Sequence, residues 1–212
     1  MSVYSTEEEQ IEAIKAWWKQ YGTSVIAGLV LGGAIMGGTK YWMSHQNQKA
    51  VAASTEYQVL IDALDKDNLD QVLSRGAALV DQYPGTPYAA LAALAMAKAK
   101  VEQGKFDEAE GHLQWVIDHG NQPELKHIAR LRLAKLLLAE DKADAALAQL
   151  GGADPDNFQA AYEELKGDIY THQGKTAQAR SAYQAALAAM PEGVDRSNLQ
   201  MKLDDLGAKD AS

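Results

Sequence analysis

Three sets of residues in this 212-residue chain have the types that chemistry uses, and each is tested by what its reaction would demand. Gly174-Lys175-Thr176 has the ending of a phosphate-binding loop, in which glycine amides cradle an anion and a lysine neutralises it. That motif also needs a glycine five residues earlier and a preceding strand, but Ile169 stands at the first place and a helical pattern at the second. The segment reads as a turn between helices. Of the five histidines, His112 and His119 are seven apart and His127 lies beyond the next turn, whereas a zinc protease spaces two histidines four apart around a glutamate. The adjacent carboxylates Glu163/Glu164, Asp204/Asp205 and Asp107/Glu108 fall on helices, where sequence neighbours point in different directions and do not converge on one bond. Neither a Gly-x-Ser-x-Gly elbow, a dinucleotide fingerprint nor a calcium loop occurs in the sequence. Cysteine is absent, which removes thiolate nucleophiles, disulfides and cysteine-bound metals. The expectation is a protein that is not an enzyme and carries no metal or other cofactor.

Binding is the remaining class, and the composition narrows it. With 47% hydrophobic and 23% charged residues and five prolines, the chain is built to pack rather than to stay disordered, and its alanine-rich apolar share favours helices. The net charge is −9, and residues 44–212 hold 25 acidic against 17 basic residues. Such a surface repels a phosphate backbone, so no nucleic-acid partner is expected.

Repetition organises the second part of the chain. Gln103-Gly104-Lys105-Phe106-Asp107-Glu108-Ala109 and Gln173-Gly174-Lys175-Thr176-Ala177-Gln178-Ala179 are two copies of one turn: a glycine closes one helix and a small alanine lets the next pack closely. A degenerate copy runs Glu140-Asp141-Lys142-Ala143-Asp144-Ala145-Ala146. Ala109, Ala146 and Ala179 are 37 and 33 residues apart, close to the roughly 34-residue period of tetratricopeptide repeats. The last unit places Gly167, Tyr170, Gly174, Ala179, Tyr183, Ala186 and Pro191 at signature positions. A fainter first unit covers 52–84, with a turn at Asp67-Asn68 and Val72 in the alanine column. About four helix pairs result, closed by a capping helix from about Asp195 to Leu206 with Leu199, Leu203 and Leu206 on one face. The first helix of each pair should line a groove for a peptide or partner helix, with Tyr57, Ile61, Lys98, Lys135, Asp168 and His172 facing it and the two lysines suited to a carboxylate.

What holds such a groove in place is read from the N-terminal part. Between Lys19 and Lys40 lie twenty uncharged residues, enough at about 1.5 Å each to cross a hydrocarbon core of about 30 Å. Trp17, Trp18 and Tyr21 precede this run and Tyr41 and Trp42 follow it, as rings that settle at headgroup level. The opening glutamates Glu7, Glu8, Glu9 and Glu12 argue against a cleaved signal peptide, which starts basic. Thr6 and Glu9 have capping-box spacing, and Ile11, Ile14, Trp17/Trp18 and Tyr21 recur at helical intervals, predicting a short amphipathic helix on the lipid surface. Gly28, Gly32, Gly33 and Gly37 form two Gly-x-x-x-Gly pairs suited to close packing of a neighbouring transmembrane helix. Lys15, Lys19 and the free amino terminus slightly outweigh Lys40 and Lys49, favouring an N-terminus in the cytoplasm. The whole is an all-α chain: residues 1–21 form a cytoplasmic N-terminus, 22–43 a single transmembrane helix, and 44–212 a tetratricopeptide-like α-solenoid.

This order of parts resembles the YfgM family of ancillary SecYEG translocon subunits over the full length. The likeness rests on Glu8-Glu9-Gln10-Ile11-Glu12-Ala13-Ile14-Lys15 before the span, Tyr41-Trp42-Met43-Ser44-His45-Gln46 after it, and Gly167-Asp168 through Ala179-Arg180-Ser181-Ala182-Tyr183 near the end. The resemblance implies a bacterial inner-membrane location with the repeat domain in the periplasm, and association with SecYEG and a PpiD-like membrane-anchored chaperone. It also implies a role in passing translocating or unfolded polypeptides to periplasmic chaperones. From the residues alone, an envelope scaffold or regulator unrelated to Sec, or an anchored enzyme with a dispersed site, stays open.

Overall fold

The computed structural model describes residues 7–152 and 154–210. Its elements are α1 (Glu7–Asp65), α2 (Leu69–Gln82), α3 (Pro87–Glu102), α4 (Phe106–His119), α5 (Pro123–Ala139), α6 (Ala143–Gly151), α7 (Gln159–His172), α8 (Thr176–Ala189) and α9 (Ser197–Asp210), with a 3-10 turn at Asp156–Phe158. There is no strand among the described residues, so the all-helical expectation holds. Contacts divide the chain into two units, one up to Lys49 and one from Ala50.

Among the described residues the first unit is the part of α1 up to Lys49, and the rest of α1 belongs to the second unit. No proline precedes Pro84, so nothing in this stretch removes an amide from the helical ladder. The amphipathic lead-in, the apolar run and the first repeat helix are consequently segments of one 59-residue helix. The capping box expected of Thr6 and Glu9 includes a residue outside those described. The helix is long and apolar enough to cross a membrane. Its apolar side chains point outward, Leu29 and Met36 being 72% and 73% exposed, an arrangement that lipid rather than water accommodates. At one end of the run, Trp17 and Tyr21 bring their rings within 5.8 Å.

The second unit is a stack of helical hairpins. Four turns joining the two helices of a pair share one geometry, with a left-handed residue at Asp67 (φ 51°), Gly104 (71°), Asp141 (61°) and Gly174 (70°). In each, the next amide reaches back to a carbonyl of the preceding helix: Asn68 to Ala63, Lys105 to Lys100, Lys142 to Leu137 and Lys175 to Tyr170, all at 2.8–2.9 Å. These bonds satisfy carbonyls that a helix end would otherwise leave open. Glycine adopts this φ at little cost, whereas the two aspartates, short and polar, tolerate it. The residue five positions after each left-handed one, Val72, Ala109, Ala146 or Ala179, is fully buried, so each turn sets a small side chain against the partner helix.

The buried side chains form three clusters. Ala53, Leu60 and Ala63 pack with Val72 and Leu79 of α2 and Ala92, Ala95 and Ala99 of α3. The largest cluster runs from α3 to α7, including Leu94, Leu113, Val116, Leu133, Leu136, Tyr162 and Ile169. The last joins Ala179, Tyr183 and Ala186 of α8 to Leu199 and Leu206 of α9, placing α9 as the expected cap.

Candidate functional site

The first helices of the pairs carry the residues expected to face the groove, and the structure sorts them into three places. Lys98 of α3 and Lys135 of α5 line one cavity of about 450 Å³. Leu94, Ala97, Leu113 and Leu136, all buried, form its floor, and Lys98, Val101, Glu102, Arg132, Lys135 and Ala139 form an exposed rim. Lys98 lies 3.6 Å from Glu102 one turn on. The cavity is therefore apolar inside and mainly cationic at its mouth, a combination that fits an apolar side chain with a nearby carboxylate.

Tyr57 and Ile61 of α1 meet at a second cavity of about 420 Å³, with Ser54, Gln58, Asp62 and Tyr88. The rings of Tyr57 and Tyr88 lie 5.6 Å apart, and burial raises the pKa of Tyr57, so it remains a neutral hydroxyl. Asp168 and His172 of α7 are both engaged within the chain. Asp168 accepts hydrogen bonds from Tyr183 at 2.8 Å and from Lys202 of α9 at 2.7 Å. His172 Nε2 lies 3.2 Å from an Asp141 carboxylate oxygen.

Residues 15–208 match the tetratricopeptide repeat-like domain family. The chain is also similar to proteins named ancillary SecYEG translocon subunit. The one from Neisseria gonorrhoeae is 33% identical over 97% of this chain and 100% of its own length. Those from Escherichia coli and Haemophilus influenzae are 29% and 30% identical, over 97% and 96% of this chain and 99% of their own lengths. The chain belongs to the ancillary SecYEG translocon subunit family.

In this member of the ancillary SecYEG subunit family, several residues of catalytic type have structural contacts. Gly174 sits in the repeat turn described above, and Thr176 opens α8. His119 places Nδ1 3.1 Å from the Trp115 carbonyl, while His127, buried on α5, pairs Nδ1 with the Tyr162 hydroxyl at 2.9 Å. One convergence crosses between hairpins: carboxylate oxygens of Asp107, Glu110 and Glu140 lie within 4.8 Å of one another. The Lys142 ammonium donates to both Glu110 and Glu140, at 3.1 and 3.4 Å, and offsets their charge. Along the span, a Cβ built on Gly28, Gly32, Gly33 or Gly37 meets nothing within 4 Å, so these glycines leave an open face.

Two features of this family member lie outside the residues that repeat position predicts. Arg132 stands three residues before Lys135 on one helix, so the spacing itself was a signal that the two cations share a rim. The tie between α7 and α9 left no such signal, because Lys202 reaches Glu164 (2.8 Å) and Asp168 only once α9 has docked. Burial acts against the charge on Lys202, but its bonds to Asp168 and Glu164 outweigh this and raise its pKa above the ordinary 10.5. A raised lysine pKa stabilises the fold fully below the unfolded value and loses that contribution as pH rises through the folded one. From neutral pH upward, the melting-temperature gap between wild type and Lys202→Met should therefore be constant to about pH 10 and close above it. A gap unchanged at high pH would show that Lys202 acts by packing alone.

Proposed function

We propose that this protein is a membrane-anchored interaction subunit of the Sec translocon, which receives newly translocated polypeptides in its repeat groove and passes them to periplasmic chaperones. The N-terminus is cytoplasmic, α1 crosses the bacterial inner membrane once in contact with lipid, and the repeat domain stands in the periplasm. Its partners are SecYEG, a PpiD-like membrane-anchored chaperone and unfolded client chains. Gly28, Gly32, Gly33 and Gly37 pack against a partner's helix within the bilayer. It catalyses no reaction.

The observation that carries this reading is the near end-to-end alignment, span included, with relatives named for SecYEG. Physical economy supports it: a groove tethered beside a channel exit meets emerging chains at high effective concentration, so weak and broad recognition suffices. The cavities on α1, α3 and α5 supply apolar surface of that kind.

Photo-crosslinking side chains placed at Tyr57, Lys98 and Lys135 of the full-length protein should capture SecY, a PpiD-like partner or nascent chains in intact cells. Capture of none of these at native expression would overturn the proposal. Protease added to spheroplasts should digest the repeat domain, and protection there with digestion in inverted vesicles would reverse the orientation.

A further inference from the structure

The α3–α5 cavity gathers three cations, Lys98, Arg132 and Lys135, at its rim. Several lysines elsewhere in the domain sit on carboxylates: Lys100 on Glu108, Lys142 on Glu110 and Glu140, Lys166 on Glu163, and Lys202 on Glu164 and Asp168. Around this cavity the one acid, Glu102, is taken by Lys98. Among the described residues no carboxylate pairs with Arg132 or Lys135, although the protein as a whole carries a charge of −9. Two uncompensated cations thus stand together over an apolar floor of Leu94, Ala97, Leu113 and Leu136, in a hollow of about 450 Å³. That volume lies within the roughly 300–1,000 Å³ usual for ligand sites.

We infer that this cavity is a docking site for a polypeptide segment in which a bulky apolar side chain is flanked by acidic residues. The apolar group fills the floor between Leu94 and Leu136, removing its own surface and theirs from water. The flanking carboxylates meet Arg132 and Lys135, where the guanidinium fork holds a carboxylate in two bonds and the ammonium acts as a point charge. Being exposed, these pairs contribute more to selection and encounter than to tight binding, and they weaken with salt. The inference rests on the proposed reception of polypeptides and makes it selective. Acidic-flanked apolar segments are held, and basic-flanked ones are turned away by like charge.

The test uses the full-length protein in neutral detergent and three labelled nonapeptides with Gly/Ser flanks and centres Asp-Leu-Asp, Lys-Leu-Lys and Asp-Ser-Asp, read by fluorescence anisotropy. Wild type should bind the first about tenfold more tightly than either other peptide. Arg132→Glu with Lys135→Glu, both exposed and therefore harmless to folding, should invert the charge preference. Ala139→Trp at the exposed rim should weaken binding of the first peptide with no change in the thermal melt. Equal binding of all three peptides, or an unchanged preference in the charge-reversed variant, would overturn the inference. So would wild-type binding to phosphatidylglycerol vesicles that depends on Arg132 and Lys135 without any peptide preference, which would assign the rim to lipid. A permanently unfolded carboxymethylated protein separates the two levels. If it binds wild type and variant alike, reception of polypeptides stands and this site falls; if neither it nor any peptide binds wild type, both fall.

Discussion

Replacing Gly167 with alanine is expected to lower the unfolding free energy of the repeat domain by about 1–3 kcal/mol, the usual cost of overpacking a filled interior. The added methyl would strike ring carbons Cδ1, Cε1 and Cζ of Tyr183, which lies across the α7 backbone at this point. The ring is not free to swing aside. Its hydroxyl donates to Asp168 at 2.8 Å and lies 3.2 Å from the Thr171 hydroxyl, which itself donates to the Gly167 carbonyl at 2.8 Å. At about 2–4 °C per kcal/mol for a domain of this size, the shift is plain in a circular dichroism melt. Shrinking the obstacle should rescue part of it, so Gly167→Ala combined with Tyr183→Val should cost less than the two changes summed. Strict additivity, or a single variant that melts with wild type, would mean that α7 and α8 are not in close contact there.

The second large effect concerns the span. Val25, Ile26, Leu29, Val30, Leu31 and Ile35 together contribute roughly −2 to −4 kcal/mol towards insertion, and the six glycines between Lys19 and Lys40 offer little more. An arginine at the middle of such a helix costs about 2.5–3.5 kcal/mol, enough to cancel the whole preference. Val30→Arg should therefore move the protein from the carbonate-resistant membrane pellet to the soluble fraction, while Val30→Leu stays in the pellet. Val30 is 66% exposed, so this change leaves the packing of the helical hairpins alone. An arginine variant that stays fully membrane-integrated would show that α1 is held by something other than its own hydrophobicity.

The repeats were legible because their turn is local chemistry. Gln-Gly-Lys recurs at 103–105 and 173–175 because a left-handed residue must follow the helix there, and the alanine or valine five residues on must be small. The aspartate copies at Asp67 and Asp141 are fainter only because glycine is replaced by a residue that merely tolerates this backbone. The apolar run was equally plain, since lipid reads composition over a fixed length. Contacts made across hairpins were less visible. In the sequence Asp107 and Glu108 are neighbours on one helix, yet in the fold Asp107 converges with Glu110 and with Glu140 from the next hairpin. Repeat position predicts Asp168 on the groove-facing helix, and the structure adds that Lys202 and Tyr183 both hold it. No spacing rule anticipates either arrangement, because each depends on how far one hairpin rotates over the next.

The hydrophobic interior of the repeat domain is partitioned among three clusters rather than pooled, and the partition grades how long each part resists opening. In an array stabilised by nearest neighbours, terminal units have one supporting interface where inner ones have two, so fluctuations begin at the tips and travel inward. Leu94, Ala97, Leu113 and Leu136 all belong to the central and largest cluster. The hollow they floor should therefore be among the last features to dissolve, after the terminal helix α9 has opened at the end of the stack.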